Sequence, residues 1–168
     1  MRIGKAISKK SIFFFIAFLI FGIGFSKNQN IRTVDLKIAV DEEFRSNKMW
    51  RLEIKRLIID ASQDFETRFD IRFRIKSFVF WFSDNSRSSM LGLLNDLRRK
   101  VPQGAGDVVL GFTAQPHLDQ DLSGAAAYLN GYIVIKRLGT ELAMMRILKH
   151  EFCHLFGAID LKEIGSIM

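Results

Sequence analysis

Cysteine is nearly absent from this sequence, and so are repeats and long apolar runs. Cys153 is the only cysteine among 168 residues, which excludes an internal disulfide. No repeat, low-complexity stretch or linker interrupts residues 27–168, which predicts one domain with its own core. The longest uncharged apolar run, Ile12 to Phe25, has fourteen residues and is shorter than the roughly 20 that a membrane-spanning helix needs.

A large excess of one charge is missing as well. The formal net charge is +7, but four of the 25 basic residues and none of the 18 acidic residues lie among the first 26. Residues 27–168 therefore carry only +3. So small an excess does not indicate binding to nucleic acid.

The first 26 residues have the pattern of a targeting segment. The basic residues that precede the apolar run are Arg2, Lys5, Lys9 and Lys10. Small residues at Gly24 and Ser26 predict signal-peptide cleavage after Ser26 and export of the rest, to the periplasm or the exterior if the source is bacterial. The alternative is an uncleaved anchor in the membrane. This segment is the only membrane contact that the sequence predicts.

Residues 34–156 predict an α+β domain. Period-2 alternation or continuous apolar runs indicate strands at 34–40, 71–82, 107–113, 124–129 and 132–136. Apolar stripes of helical period indicate helices at 49–69, 90–101 and 140–156. Ser77 marks a kink in the second strand, residues 41–47 are a predicted polar turn, and Asn130-Gly131 predicts a hairpin. Thr140 is the predicted N-cap of the last helix.

The segment HEFCHLFGAID, which begins at His150, has the spacing HExxHxxGxxD. On a helix, His150 and His154 lie about 40° apart around the axis and about 6 Å along it, so one metal ion can bind both rings. Glu151 can reach a water on that metal. Gly157 can end the helix in a left-handed conformation, after which the chain turns back and brings in Asp160. Three protein ligands and one open position are typical of catalytic zinc.

Two other interpretations of this segment stay open. An amphipathic helix with two solvent-facing histidines has the same spacing, and so does a relic that binds zinc without activity. Cys153 lies between the two histidines. It is interpreted as a small buried apolar side chain rather than as a further ligand.

Together with the tripeptide Ser-Ile-Met that ends at Met168, this segment resembles the metzincin clan of zinc endopeptidases, in the variant whose third ligand is aspartate. The resemblance implies one catalytic Zn²⁺ held by His150, His154 and Asp160. It implies that Glu151 is the general base and acid. It also places Met168 beneath the metal, as the methionine of the clan's Met-turn.

The resemblance implies a zincin-like (metzincin) N-terminal subdomain. Its mixed, twisted sheet has an antiparallel edge strand, backing helices and an active-site helix. Chains of this clan continue beyond the methionine into a C-terminal subdomain. Because the sequence ends at Met168, we expect residues 27–168 to form a catalytic domain that lacks this lower part.

The edge strand of the clan borders the active-site cleft. By position it comprises Gly124, Ala125, Ala126, Ala127 and Tyr128. An extended peptide can add to such an edge as a further strand, and small side chains would let its backbone approach closely. A packed hairpin that needs small residues only for space explains the pattern equally well.

The expected function is a zinc-dependent endopeptidase that hydrolyses a protein or peptide substrate with a metal-activated water. The alternative is a catalytically impaired or truncated metzincin-like module that binds peptides or zinc without turnover. No pattern in the chain predicts an oligomeric state or a cleavage preference.

Overall fold

Strands and helices alternate along the chain in the computed structural model, which describes residues 30–118, 122–127 and 129–159. The strands are β1 (Arg32–Val40), β2 (Ile71–Phe80), β3 (Val108–Thr113), β4 (Gly124–Ala127) and β5 (Tyr132–Lys136). The helices are α1 (Glu42–Arg45), α2 (Trp50–Phe69), α3 (Met90–Lys100) and α4 (Glu141–Leu155). From Ile31 onward the described residues belong to one compact unit. The predicted strands and long helices are confirmed, with ends that move by at most two residues.

The five strands form one mixed sheet in the order β2-β1-β3-β5-β4. Neighbouring strands are parallel except at one edge, where β4 is antiparallel to β5. This confirms the predicted mixed sheet with an antiparallel edge strand. Leu36 pairs with Ile75 and Lys37 with Ser77, so Lys76 is the extra residue of a β-bulge beside the predicted kink.

Alternation along the strands divides the core between the two faces of the sheet. Leu36, Ile38 and Leu110 pack with α2 and α4 on one face. Val109 and Val134 pack with α3 on the other face. All five side chains are fully buried. Because successive side chains of a strand point to opposite faces, the sheet separates α3 from α4.

The predicted turn at residues 41–47 is partly wrong, because it contains the short helix α1. Asp41 is the N-cap, and its carboxylate accepts a hydrogen bond of 2.7 Å from the backbone N–H of Phe44. Phe44 is fully buried and packs against Phe112, with ring centroids 5.3 Å apart. Phe44 thus packs in the core although its neighbours are polar, and this segment forms one helical turn.

Burial of Asp41 predicts a fold that becomes less stable as the pH rises from about 4 to 6. Desolvation raises the pKa of the Asp41 carboxyl from 3.8 to about 6, against hydrogen bonds from Thr113 and Phe44. The folded chain therefore binds more protons than the unfolded chain in this window. We expect Asp41→Asn, which keeps a capping side chain, to raise the free energy of unfolding at pH 7.5 by about 1–3 kcal/mol. Urea unfolding followed by tryptophan fluorescence at pH 4.5 and 7.5 measures this change.

Asp84→Asn is the matched control for that experiment. The pKa of the Asp84 carboxyl in the parent chain is lowered to about 2, mainly by hydrogen bonds from Ser86. It therefore titrates below the window in question, and its replacement should not stabilise the fold at pH 7.5. Parallel pH profiles of the parent and Asp41→Asn would contradict the assignment to Asp41.

The predicted targeting segment, residues 1–26, lies outside the described residues. Signal cleavage, anchoring, export and the domain boundary at residue 27 stay predictions. Within residues 30–118, 122–127 and 129–159, no helix combines the length and the apolar composition that crossing a bilayer requires.

Candidate active site

α4 carries the two histidines, and its position follows from its cap and its apolar stripe. The Thr140 hydroxyl accepts a hydrogen bond of 3.2 Å from the backbone N–H three residues on, which confirms the predicted N-cap. The buried stripe consists of Met144, Met145, Leu148 and Phe152. Helical spacing leaves His150 exposed and His154 half-buried, beside this stripe. Both rings thus lie on a side of α4 that the core does not cover.

The two histidine rings converge. Their Nε2 atoms are 3.0 Å apart, and the ring planes are almost perpendicular. Two nitrogen ligands of a tetrahedral zinc, each about 2.0–2.1 Å from the metal, are about 3.3 Å apart. The separation between His150 and His154 is close to this value, so the residues present fit a shared metal ion.

The ring of His154 is oriented by the chain that follows the helix. Gly157 has a φ of +93°. The N–H groups of Gly157 and Ala158 donate to the carbonyls of His154 and Cys153, at 3.2 and 3.1 Å, which are the two bonds of a Schellman C-cap. The turn places the Ala158 carbonyl 2.8 Å from Nδ1 of His154. A neutral ring that donates its Nδ1 proton there keeps the Nε2 lone pair for a metal.

Glu151 is buried against the first residue of β4, with 5% of its surface exposed. A Cβ atom on Gly124 would lie 2.6 Å from Oε1 of Glu151 and 2.7 Å from Cγ2 of Ile147. Glycine therefore leaves the room that the carboxylate occupies between α4 and β4. The sequence left open whether the small residues of this strand serve a substrate or packing. For Gly124, the structure shows packing against Glu151.

A cleft of about 270 Å³ runs between α4 and the edge strand β4. It is lined by Leu91, Leu122, Gly124, Ala125, Ala126, His150, Glu151 and His154. The sequence interpretation missed Leu91 and Leu122. No local pattern could have revealed them, because they reach the cleft from α3 and from the segment before β4.

Cys153 lies on another side of α4. Together with Phe65, Ile71 and Phe156 it lines an apolar cavity of about 180 Å³. Burial raises the pKa of its thiol. The interpretation of Cys153 as a small buried apolar side chain is confirmed in part, because the side chain packs against the core but is only half-buried. Cys153 is not among the residues that line the cleft.

The structure brings His150, Glu151 and His154 together at one cleft. Asp160, Met168 and Tyr128 lie outside the described residues, and their roles stay predictions. In the described part of the chain, no three His, Cys, Asp or Glu side chains are grouped as a metal site requires. The described residues therefore supply two of the three expected ligands.

Comparisons with known proteins agree with the resemblance that the sequence motif indicates. The sequence model of metallo-peptidase family M12 matches residues 30–162. The fold is similar to that of archaemetzincin from Methanopyrus kandleri, with a TM-score of 0.56 and 16% identity over 82% of this chain and 79% of that one. It is also similar to a chain in the structure of a chaperone–substrate complex, with a TM-score of 0.62 and 14% identity. That match covers 75% of this chain but only 23% of the other, so this chain spans about a quarter of its length. No curated protein sequence matches the chain.

Proposed function

The chain belongs to metallo-peptidase family M12, and from this premise we propose that it is a zinc-dependent endopeptidase acting on protein or peptide substrates. Its fold is that of a metzincin-like metallopeptidase. The observation that carries the proposal is the convergence of the His150 and His154 Nε2 atoms, 3.0 Å apart, beside the buried carboxylate of Glu151.

His150 and His154 would hold the metal through Nε2, and Asp160 is the proposed third ligand. The hydrogen bond from His154 to the Ala158 carbonyl supports this assignment, because metal-binding histidines commonly donate their other ring N–H to such a group. A bound zinc ion would supply Lewis acidity, which lowers the pKa of a water molecule and polarises a carbonyl group.

Glu151 is the proposed general base and acid. It follows His150 directly, so its side chain leaves the helix about 100° further round. Its carboxylate lies at the cleft and is held between α4 and Gly124. In the proposed reaction it accepts a proton from the attacking water and later donates it to the leaving amine. The carboxylate fits beside β4 because residue 124 has no side chain.

The edge strand β4 is the proposed binding surface for the substrate backbone. β4 pairs with β5 on one side, and it is the last strand of the sheet formed by the described residues. The outward N–H and C=O groups of such a strand can pair with an extended peptide. A peptide in this position would pass the cleft that contains His150, Glu151 and His154.

We expect Gly124→Ala to impair turnover with little loss of zinc. The added methyl must displace the Glu151 carboxylate or move β4 away from α4, since both contacts would be shorter than 3 Å. A displacement of about 1 Å at a catalytic group can lower the rate about 100-fold. Overpacking of this kind also costs about 1–3 kcal/mol of stability. Initial rates, zinc content and thermal unfolding of the purified variant measure the three effects.

Gly139→Ala is the matched control, because a Cβ atom there meets no other atom within 4 Å. It should retain the parental rate and stability. If Gly124→Ala had the same kcat as Gly139→Ala, the contact between Gly124 and Glu151 would have no part in positioning the base.

The test of the proposed function is zinc-dependent cleavage of a reduced, unfolded protein by the full chain, with fragments identified by mass spectrometry. Internal cuts that disappear with a chelator and return with zinc support an endopeptidase. A folded, zinc-loaded chain that makes no cuts would instead favour a module that binds zinc or peptides without turnover. Replacement of Glu151 is the decisive variant.

A further inference from the structure

Two leucines are exposed at the cleft that contains the histidines. Leu91 is 57% exposed and Leu122 is 48% exposed. Both line the cleft together with His150 and Glu151. A single exposed leucine is common on a protein surface and needs no explanation. Two that line the same small cleft as the proposed catalytic groups form an apolar wall where a substrate would lie.

The packing of α3 does not account for Leu91. The buried stripe of α3 consists of Met90, Leu93, Leu94 and Leu97. Leu91 lies about 100° from Met90 around the axis and is outside both core clusters. Ser89 caps the helix by accepting a hydrogen bond of 3.1 Å from the N–H of Gly92, which holds Leu91 in the first turn.

Leu122 is likewise outside both core clusters. It precedes Gly124 by two residues, and Gly124 is the first residue of β4, where it lies beside Glu151 and Ile147. The segment before β4 thus brings Leu122 to the same cleft that Gly124 and Glu151 line.

The two faces of the sheet contribute different chemistry to the cleft. α4, with the histidines and Glu151, packs on one face, and α3, with Leu91, packs on the other. A peptide paired with β4 points successive side chains to opposite faces. Every second substrate side chain would then face α3, and the one nearest to the cleft would meet Leu91 and Leu122.

From this arrangement we infer that Leu91 and Leu122 form a subsite that selects a large aliphatic substrate side chain on the α3 side of the sheet. The inference rests on the proposed function, because it uses the same cleft. An aliphatic side chain gains free energy by covering the two leucines. A polar side chain would lose water there and gain no hydrogen bond from either leucine.

Peptide binding by the full chain tests the subsite. The probes are two fluorescent nonapeptides of serine and alanine, identical except for a central leucine or a central alanine. Zinc-loaded Glu151→Gln protein is used so that the peptides stay intact, and fluorescence anisotropy gives the dissociation constants. We expect the leucine peptide to bind about tenfold more tightly. Addition of Leu91→Ser and Leu122→Ser should remove most of this difference.

The matched control is Leu142→Ser, which replaces a leucine of similar exposure (62%) in the first turn of α4, away from the cleft lining. It should leave the preference for leucine unchanged. Equal affinities of the two peptides, no binding of either, or a preference that survives the double substitution would overturn the inference. Failure of the proposed function has a different readout, namely the absence of cleavage by the parent chain.

Discussion

Glu151→Gln is expected to abolish proteolysis while the zinc content stays at the parental value. Loss of a positioned general base and acid lowers a rate by about 10²–10⁴-fold. Glutamine has almost the same shape as glutamate, so it still fits the space beside Gly124. Glu151 is not a proposed ligand, and its replacement leaves both histidines in place. The rate of internal cuts in an unfolded protein and the zinc content of the purified chain measure the two quantities.

The control for this variant is Glu141→Gln, on the same helix. Glu141 is exposed in the first turn of α4, at the opposite end from the histidines. It should cleave at the parental rate. Parental activity in Glu151→Gln would show that another group transfers the proton, and the assignment of Glu151 would then be wrong.

His150→Ala and His154→Ala are each expected to lower the affinity for zinc by at least about 100-fold. Loss of groups that only support a ligand already costs about 10–100-fold, and these side chains are the proposed ligands themselves. Neither ring belongs to a core cluster, so the fold should survive both replacements. Competition with a chromophoric chelator gives the affinity, and circular dichroism checks the fold.

His117→Ala is the matched control for the metal. His117 is the one other histidine of the sequence. It follows Pro116, is exposed, and does not line the cleft. Zinc affinity should be unchanged in this variant. If His117→Ala weakened zinc binding as much as His154→Ala, the metal would be bound elsewhere than at the end of α4.

Most of the local structure was predictable because it depends on interactions within a few residues. Thr140 caps α4 through an N–H three positions on. The turn at Gly157 ends the helix through two hydrogen bonds, donated by the N–H groups of Gly157 and Ala158, that also span a few residues. The alternation of apolar and polar residues in β1 predicted a half-buried strand. The continuous apolar run of β3 predicted a central strand. The prediction failed at residues 41–47, because burial of Phe44 against Phe112 depends on a strand far along the chain.

Spacing along the chain was enough to identify the histidines and Glu151, since residues one and four apart on a helix have known directions. It could not reveal the surroundings of these residues. Gly124 and Glu151 are 27 positions apart in the sequence and Leu91 and Glu151 are 60 apart, yet all three meet at one cleft. Their proximity depends on the order of the strands, which places β4 at the edge of the sheet, with α3 and α4 on opposite faces of the sheet. Strand order is decided by packing between distant segments, and no local pattern encodes it.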